Sequence, residues 1–156
     1  MMRILFICYG NICRSPMAEA ILRDMAKKRG IPLTVASAAT SDEEIIGGVG
    51  NPVYPPARAE LEKHGLSLPG KRAVQLTRAD AEKWDLFIGM DSGNIRSMHR
   101  ILGPAAAGKI HRLLEFAGRD ADVADPWYSR RFDVAWDDIH AGCAGLMERI
   151  EKGSLA

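Results

Sequence analysis

Cysteine is scarce in this sequence: among 156 residues there are three, Cys8, Cys13 and Cys143. Three cysteines are too few for the paired framework that holds small secreted domains together. The four histidines have no ligand spacing with one another or with the cysteines, so we expect no metal site and no cofactor. Free thiols suit a reducing compartment, and we therefore expect a cytoplasmic protein.

The sequence also lacks a long apolar run and an excess of one charge. Near the amino terminus the apolar stretch 4–8 is too short for the core of a signal peptide or for a membrane span. Lysine and arginine number 21 against 20 acidic residues, a net charge of +1. This balance supplies no basic field, so we expect neither nucleic acid nor a membrane as partner. Any anion site must be local.

Short apolar segments alternate with amphipathic ones along the chain. Continuous apolar runs predict buried strands at 3–8 and 85–89 and weaker strands at 33–36, 73–76 and 109–114. Helices are predicted at 15–29, 57–64, from 77, at 91–101 and at 132–150. The Gly- and Pro-rich segment 37–56 predicts a long loop. The alternation predicts one α/β domain over 1–156, with a mainly parallel central sheet flanked by helices.

The turn between the first strand and the first helix has an unusual composition. It reads CYGNICRS over residues 8–15, and its Gly10 and Asn11 tolerate positive φ better than other residues. Ser15 followed by Pro16 predicts the N-cap and the first position of the helix. A turn of this kind can aim successive N–H groups at an anion beside a helix N-terminus. The predicted ligands of a phosphate or sulfate ion are Tyr9, Gly10, Asn11, Ile12, Cys13, Arg14 and Ser15.

Cys8 and Arg14 give this turn its chemistry. Arg14 offers a planar guanidinium that can bind two phosphate oxygens at once. The same positive surroundings favour a thiolate at Cys8, which is a strong nucleophile and also a competent leaving group. This pair predicts a two-step displacement through a phosphocysteine. In the alternative interpretation, Cys8 fills the core at a strand end and Arg14 is a surface charge.

The segment 8–16, CYGNICRSP, resembles the signature loop of the low-molecular-weight tyrosine phosphatases, C-x-G-N-x-C-R-S-P. The likeness covers essentially the whole chain in order. Its further parts are SAAT at 37–40, NP at 51–52, PP at 55–56, GMD at 89–91 with Asn94, and DPWY at 125–128. The resemblance implies a three-layer flavodoxin-like fold and hydrolysis of phosphotyrosine and other aryl phosphate monoesters.

The resemblance also implies roles for individual residues. Cys8 is the nucleophile, Arg14 clamps the phosphate, and Asp125 protonates the leaving phenolate and then activates water. Asp125 has an alternative interpretation as a turn residue, because Asp-Pro commonly opens turns. The residues implied to support the loop are Asn11, Ser15 and Ser37. We expect the substrate wall to consist of Tyr9, Ile12, Trp127 and Tyr128, although the last two could instead pack on the surface. The implied partner is a phosphotyrosine protein or another phosphomonoester, bound by a monomer or weak dimer.

Other positions leave alternatives or depart from the family. The resemblance implies a reversible disulfide between Cys13 and Cys8, while Cys13 is equally interpreted as packing under the loop. Cys143 lies on the apolar stripe of the last helix, which favours core packing. Lys71 occupies a position where relatives often carry histidine, and the loop 43–50 lacks an aromatic residue that many relatives place over the substrate.

Three other functions compete with this interpretation. Protein-arginine phosphatases of this fold place threonine at the position of Ile12, whose apolar side chain suits a ring instead. Arsenate reductases need two further cysteines near the middle of the chain, and segment 71–101 has none. A non-catalytic phosphate-binding or redox-sensing module would not need both Cys8 and Asp125.

Overall fold

The centre of the molecule is a parallel sheet of four strands. The computed structural model describes residues 1–154. The strands in chain order are β1 Met2–Cys8, β2 Leu33–Ala39, β3 Ile45–Ile46, β4 Val49–Gly50, β5 Leu86–Gly89 and β6 Ile110–Arg112. The sheet has the order β2-β1-β5-β6, and β3 and β4 form a separate antiparallel hairpin. Without the hairpin, the strand order matches the flavodoxin-like pattern of doubly wound sheets.

Helices cover both faces of this sheet. They are α1 Arg14–Arg29, α2 Pro55–Lys63, α3 Ser92–Leu102, α4 Pro126–Ser129 and α5 Phe132–Lys152. Alternate residues of β1 enter different cores, because successive strand side chains point to opposite faces. Ile4 and Phe6 pack with α1, α2 and α5, whereas Leu5 and Ile7 pack with α3 and the 3₁₀ segments 78–82 and 104–109. The predicted three-layer flavodoxin-like fold is confirmed.

The first and last helices pack together; the first ends where its sequence predicts, and the last extends two residues further than predicted, to Lys152. Gly30 closes α1 in the left-handed conformation at φ 66°, which glycine adopts without strain. Cys143 is fully buried on the apolar stripe of α5, and its Sγ lies 3.8 Å from the carbonyl of Ala18 on α1. Core packing of Cys143 is therefore confirmed. Among residues 1–154, no helix is long and apolar enough to span a membrane.

Several local predictions are wrong. The N-cap of α1 is Cys13, and Ser15 lies inside the first turn, where its hydroxyl bonds side chains of the loop. Segment 73–76 forms only one bridge to the sheet, between Gln75 and Ala39, because β2 already ends there. The helix from 77 is a 3₁₀ turn, Arg78–Glu82. The loop predicted at 37–56 contains the end of β2, the β3–β4 hairpin and the start of α2.

A close approach fixes the hairpin beside segment 71–74. The backbone N–H of Ala73 donates to the carbonyl of Asn51 at 2.9 Å. A Cβ at Gly50 would lie 1.9 Å from the carbonyl oxygen of Ala73, so glycine is the residue that this contact allows. This contact positions the hairpin and the acidic residues that precede it beside the carboxyl end of β1.

Candidate active site

A cleft of about 130 Å³ opens at the carboxyl end of β1. Ligands bind at this edge in open α/β sheets. The lining residues come from the loop after β1, from the segment before the hairpin and from the segment that leads into α4. They are Cys8, Tyr9, Gly10, Ile12, Cys13, Arg14, Glu43, Glu44, Asp125, Trp127 and Tyr128. The three residues with predicted catalytic roles thus meet in one cleft with all four predicted wall residues.

The loop between β1 and α1 directs its carbonyl groups outward. The carbonyls of Cys8, Tyr9 and Ile12 accept from the N–H groups of Thr40, Ser41 and Tyr54, respectively. In a planar trans peptide the N–H of the next residue points opposite to the carbonyl. The N–H groups that follow these three carbonyls therefore point away from the segments that donate to the carbonyls. Asn11 has φ 59°, a left-handed conformation that asparagine tolerates. The backbone thus has the form of an anion nest.

Cys8 lies at the floor of the cleft, with 3% of its surface exposed. Its Sγ is 2.9 Å from Ser15 Oγ and accepts from the backbone N–H of Asn11 at 3.2 Å. The first turn of α1 begins six residues later, at Arg14. The sulfur therefore lies beside a backbone donor, a hydroxyl group and the N-terminus of a helix.

Arg14 is buried and anchored on one side. Its Nη1 donates to Asp91 Oδ2 and to the carbonyl of Val123, both at 2.8 Å, and its Nη2 lies 3.5 Å from Asp125 Oδ2. Burial alone lowers the pKa of Arg14, but the charges of Cys8, Asp125 and Asp91 outweigh it and raise that pKa. The guanidinium is thus a permanent cation with a fixed orientation beside Cys8.

The anchor for Arg14 comes from the capping of α3. Asp91 is the N-cap, and its Oδ1 accepts from the N–H of Asn94 at 2.7 Å. Asn94 Oδ1 accepts in return from the N–H groups of Met90 and Asp91. Because one carboxylate oxygen caps the helix, the other is free to hold Arg14. Asp91 and the Val123 carbonyl are contacts of Arg14 that sequence reasoning did not assign, although an N-cap aspartate at the end of β5 was a usable signal.

Asn11, Ser15 and Ser37 form a buried hydrogen-bonded group beneath the loop. Asn11 Nδ2 donates to Ser15 Oγ at 2.8 Å and to Ser37 Oγ at 2.9 Å. Asn11 Oδ1 accepts from the N–H of Val74 at 3.1 Å, which fixes the orientation of the amide. The structure therefore places all three predicted support residues in contact, with Asn11 at the centre.

We expect Asn11→Ala to lower the free energy of unfolding by about 2–4 kcal/mol. The substitution removes two buried hydrogen bonds and one partly buried one, and it places an alanine at φ 59°. Asn11→Gly removes the same bonds without the backbone strain, so it should be more stable than Asn11→Ala by about 1 kcal/mol. Urea denaturation of the three proteins measures both differences. Equal stability of wild type and Asn11→Ala would contradict this account of the loop.

Asp125 and its neighbours form the facing side of the cleft. Asp125 is the N-cap of α4, and its Oδ1 accepts from the N–H of Trp127 at 3.0 Å. Its interpretation as a turn residue and its placement in the cleft are therefore compatible. Trp127 packs against Tyr54 with ring centroids 4.8 Å apart, and Tyr128 is 82% exposed. Tyr54, which sequence reasoning did not assign, supports Trp127 from behind.

Tyr9 and Ile12 contribute the other side of the cleft. The Tyr9 hydroxyl donates to Glu43 Oε1 at 2.6 Å, and this hydrogen bond raises the pKa of Tyr9. Ile12 is almost buried and presents apolar surface. Glu43 and Glu44 also line this side of the cleft, so its rim is acidic.

Cys13 lines the same cleft as Cys8, and both are free thiols. Burial raises the pKa of Cys13, and the charges of Cys8 and Asp125 add to this effect. Cys13 is therefore held as a neutral thiol, which suits packing under the loop; to attack an oxidised Cys8 it would first have to lose its proton. Within residues 1–154, no group of three or more His, Cys, Asp or Glu side chains has the arrangement of a metal site.

The chain is similar to known proteins over nearly its whole length. A family model described as "Low molecular weight phosphotyrosine protein phosphatase" matches residues 3–155. The low molecular weight protein-tyrosine-phosphatase YfkJ of Bacillus subtilis is 38% identical over 156 residues, which cover 97% of each chain.

Solved structures agree with the sequence comparison. The crystal structure of Bacillus subtilis YfkJ superposes with a TM-score of 0.91 at 37% identity, covering 98% of this chain and 96% of that one. DARP, described as a drosophila arginine phosphatase, gives a TM-score of 0.87 at 28% identity, covering 96% of this chain and 98% of that one.

Proposed function

The chain belongs to the low molecular weight phosphotyrosine protein phosphatase family, and from that premise we propose how its own residues hydrolyse phosphotyrosine and other aryl phosphate monoesters. The protein is an enzyme of the protein-tyrosine-phosphatase class. In our proposal Cys8 is the nucleophile, Arg14 binds the phosphoryl oxygens, and Asp125 is the general acid and base. The observation that carries this assignment is the convergence of Cys8, Arg14 and Asp125 in one cleft.

In the first step the Cys8 thiolate attacks phosphorus and the bond from phosphorus to the ester oxygen breaks. Asp125 gives its proton to that oxygen, so the phenol leaves neutral. Phenol has a pKa of about 10, and a proton donor therefore helps this step near neutral pH. Arg14 and the nest donors bind the equatorial oxygens, where charge accumulates in the transition state.

In the second step water attacks the phosphocysteine. Asp125, now a carboxylate, accepts a proton from that water, the sulfur–phosphorus bond breaks, and the thiolate returns. Ser15, whose Oγ lies 2.9 Å from Cys8 Sγ, can donate a hydrogen bond to the departing sulfur. No metal enters either step, because Arg14 and the hydrogen-bond donors of the loop carry the charge.

The likeness to DARP makes a protein-arginine phosphatase the second candidate. The side chains around the cleft favour an aryl ring over a guanidinium. Ile12 adds apolar surface, and Trp127 and Tyr128 supply aromatic faces on the opposite side. The acidic rim at Glu43 and Glu44 is the feature that would suit a cationic substrate instead.

Kinetics with matched substrates test this proposal. We expect nitrophenyl phosphate and a phosphotyrosine peptide to be hydrolysed with kcat/KM at least about tenfold above that of a phosphoarginine peptide of the same sequence, since Ile12 offers no polar partner. Rates should be unchanged by EDTA, because Arg14 and the nest supply the positive charge. Faster turnover of phosphoarginine, or loss of activity with EDTA that a divalent ion restores, would contradict the assignment.

The remaining properties follow from the same proposal. We propose that inorganic phosphate or sulfate occupies the loop as a product-like anion, that the enzyme works in the cytoplasm as a monomer or weak dimer, and that it has no nucleic acid partner. The reversible disulfide between Cys8 and Cys13 stays a prediction. It requires the two Cα atoms to come within about 7 Å of each other.

A further inference from the structure

A buried carboxylate lies behind the phosphate loop, at Glu19 on α1. Its side chain is 4% exposed, and its Oε1 accepts from the Ser37 hydroxyl at 2.6 Å. Burial of an isolated carboxylate is costly, so a charge at this position needs compensation. Two cations provide it: Arg23 Nη2 lies 2.9 Å from Oε2, and Lys71 Nζ lies 3.9 Å from Oε1.

Lys71 is the more enclosed of the two cations. Its side chain is 13% exposed, against 52% for Arg23. Its Nζ donates to the backbone carbonyl of Ser37 at 2.9 Å. Burial lowers the pKa of Lys71, an effect that Glu19 and Cys8 oppose and Arg23 increases. Lys71 thus binds the same residue, Ser37, whose hydroxyl meets Glu19.

A series of hydrogen bonds connects Glu19 to the sulfur of Cys8, and the donor and the acceptor of each bond are fixed. A carboxylate only accepts, so Ser37 must donate to it and must accept from Asn11 Nδ2. The other hydrogen of that amide goes to Ser15 Oγ. The hydroxyl hydrogen of Ser15 is therefore available for donation, and a Cys8 thiolate 2.9 Å away can accept it.

The charge on Glu19 acts on Cys8 as well. An uncompensated carboxylate behind the loop would repel both the thiolate and the bound phosphate. Loss of compensation therefore disfavours the thiolate.

We propose that Lys71 is a positioning residue for Cys8. It compensates the charge of Glu19 and binds the carbonyl of Ser37, and it thereby keeps the hydrogen bonds of Asn11 and Ser15 directed toward the sulfur. Lys71 touches neither substrate nor sulfur in this scheme, and it acts through Glu19 and Ser37. The inference rests on the proposed role of Cys8 as nucleophile. The charged groups that face Lys71 are Glu19, Arg23 and Cys8.

Alkylation of Cys8 by iodoacetamide, followed by mass spectrometry of the Cys8 peptide, measures the thiolate directly. We expect Lys71→Gln and Lys71→Met to slow alkylation at pH 6 by about three- to tenfold, and to lower kcat by a similar factor. The inhibition constant of inorganic phosphate should stay within about twofold, because Arg14 and the nest donors remain. Lys71→Arg, which keeps a cation, should recover most of the alkylation rate.

Controls separate positioning from folding. Lys27→Met changes a lysine at the edge of the groove that contains Lys71, and it should match wild type in alkylation rate and in kcat. Lys71→Gln keeps a polar side chain of intermediate length, so it tests the charge even if Lys71→Met unfolds. Thermal melting of each variant identifies any loss due to unfolding.

Two results would overturn the inference. One is an alkylation rate in folded Lys71→Gln within twofold of wild type. The other is a loss of phosphate binding as large as the loss of alkylation, which would indicate collapse of the loop. Failure of the proposed function is distinguishable, because the wild-type protein itself would then lack phosphatase activity or phosphate protection of Cys8.

Discussion

We expect Cys8→Ser to lower kcat for nitrophenyl phosphate by about 10⁵-fold or more, a loss typical of removing a catalytic nucleophile. A serine hydroxyl stays protonated near neutral pH and has no general base beside it to activate it, because the loop offers donors. The backbone of the loop and Arg14 remain, so the variant should still bind inorganic phosphate with an affinity close to that of wild type. Steady-state rates and calorimetric titration with phosphate measure the two effects.

A matched control comes from the other end of the chain. Cys143 is also a buried free cysteine, but it packs against α1 in the core. We expect Cys143→Ala to lower the free energy of unfolding by about 1 kcal/mol and to leave kcat unchanged. If Cys8→Ser retains more than about a hundredth of wild-type kcat, Cys8 is not the nucleophile.

The second large effect concerns Asp125. Asn is a good N-cap, so Asp125→Asn preserves the start of α4 while it removes the ionisable proton. We expect kcat/KM, which reports the step that releases the phenol, to fall by about 10²–10⁴-fold for phenyl phosphate, the usual contribution of a general acid. The loss should be smaller for nitrophenyl phosphate, whose leaving oxygen needs less protonation. A series of phenols of increasing acidity measures this dependence.

Asp120→Asn is the control for this series. Asp120 precedes the same segment, but its side chain is 99% exposed and lies outside the cleft. It should behave as wild type with every substrate. An equal loss across the leaving-group series in Asp125→Asn would show that Asp125 acts by position or charge and does not donate the proton.

Features coded by contiguous residues could be predicted from the sequence. The apolar run 3–8 predicts β1, and the Gly30 stop predicts the end of α1, because both depend on local chemistry. The loop 8–15 contains both the residues that tolerate positive φ and the cation of the site. Because it directly follows β1, its place at the end of that strand could also be predicted. Asp125 was assigned through resemblance, because nothing local links it to a loop more than a hundred residues away.

Features that depend on distant contacts could not be predicted. Ser15 has the local features of an N-cap, but its hydroxyl bonds Asn11 and Cys8, and the helix begins two residues earlier, with Cys13 as its N-cap. Segment 73–76 has the composition of a strand, yet it pairs with β2 only at Ala39, the last residue of that strand. Lys71 reads as an ordinary charged residue, and only the folded chain brings it to Glu19 on α1. For segment 73–76 and for Lys71 the deciding partner is remote in sequence, whereas for Ser15 it is the folded shape of the loop itself.

The phosphoryl group should pass through Cys8 during the reaction, and this can be tested by trapping the phosphocysteine. Asp125→Asn is mixed with nitrophenyl phosphate, whose leaving group needs little acid, and the reaction is quenched within the first turnover. Without the base that activates water, the intermediate should accumulate. The account predicts one phosphoryl group per enzyme, located on the peptide that contains Cys8. A phosphoryl group on any other residue, or a burst of nitrophenol with no phosphorylated enzyme, would contradict it.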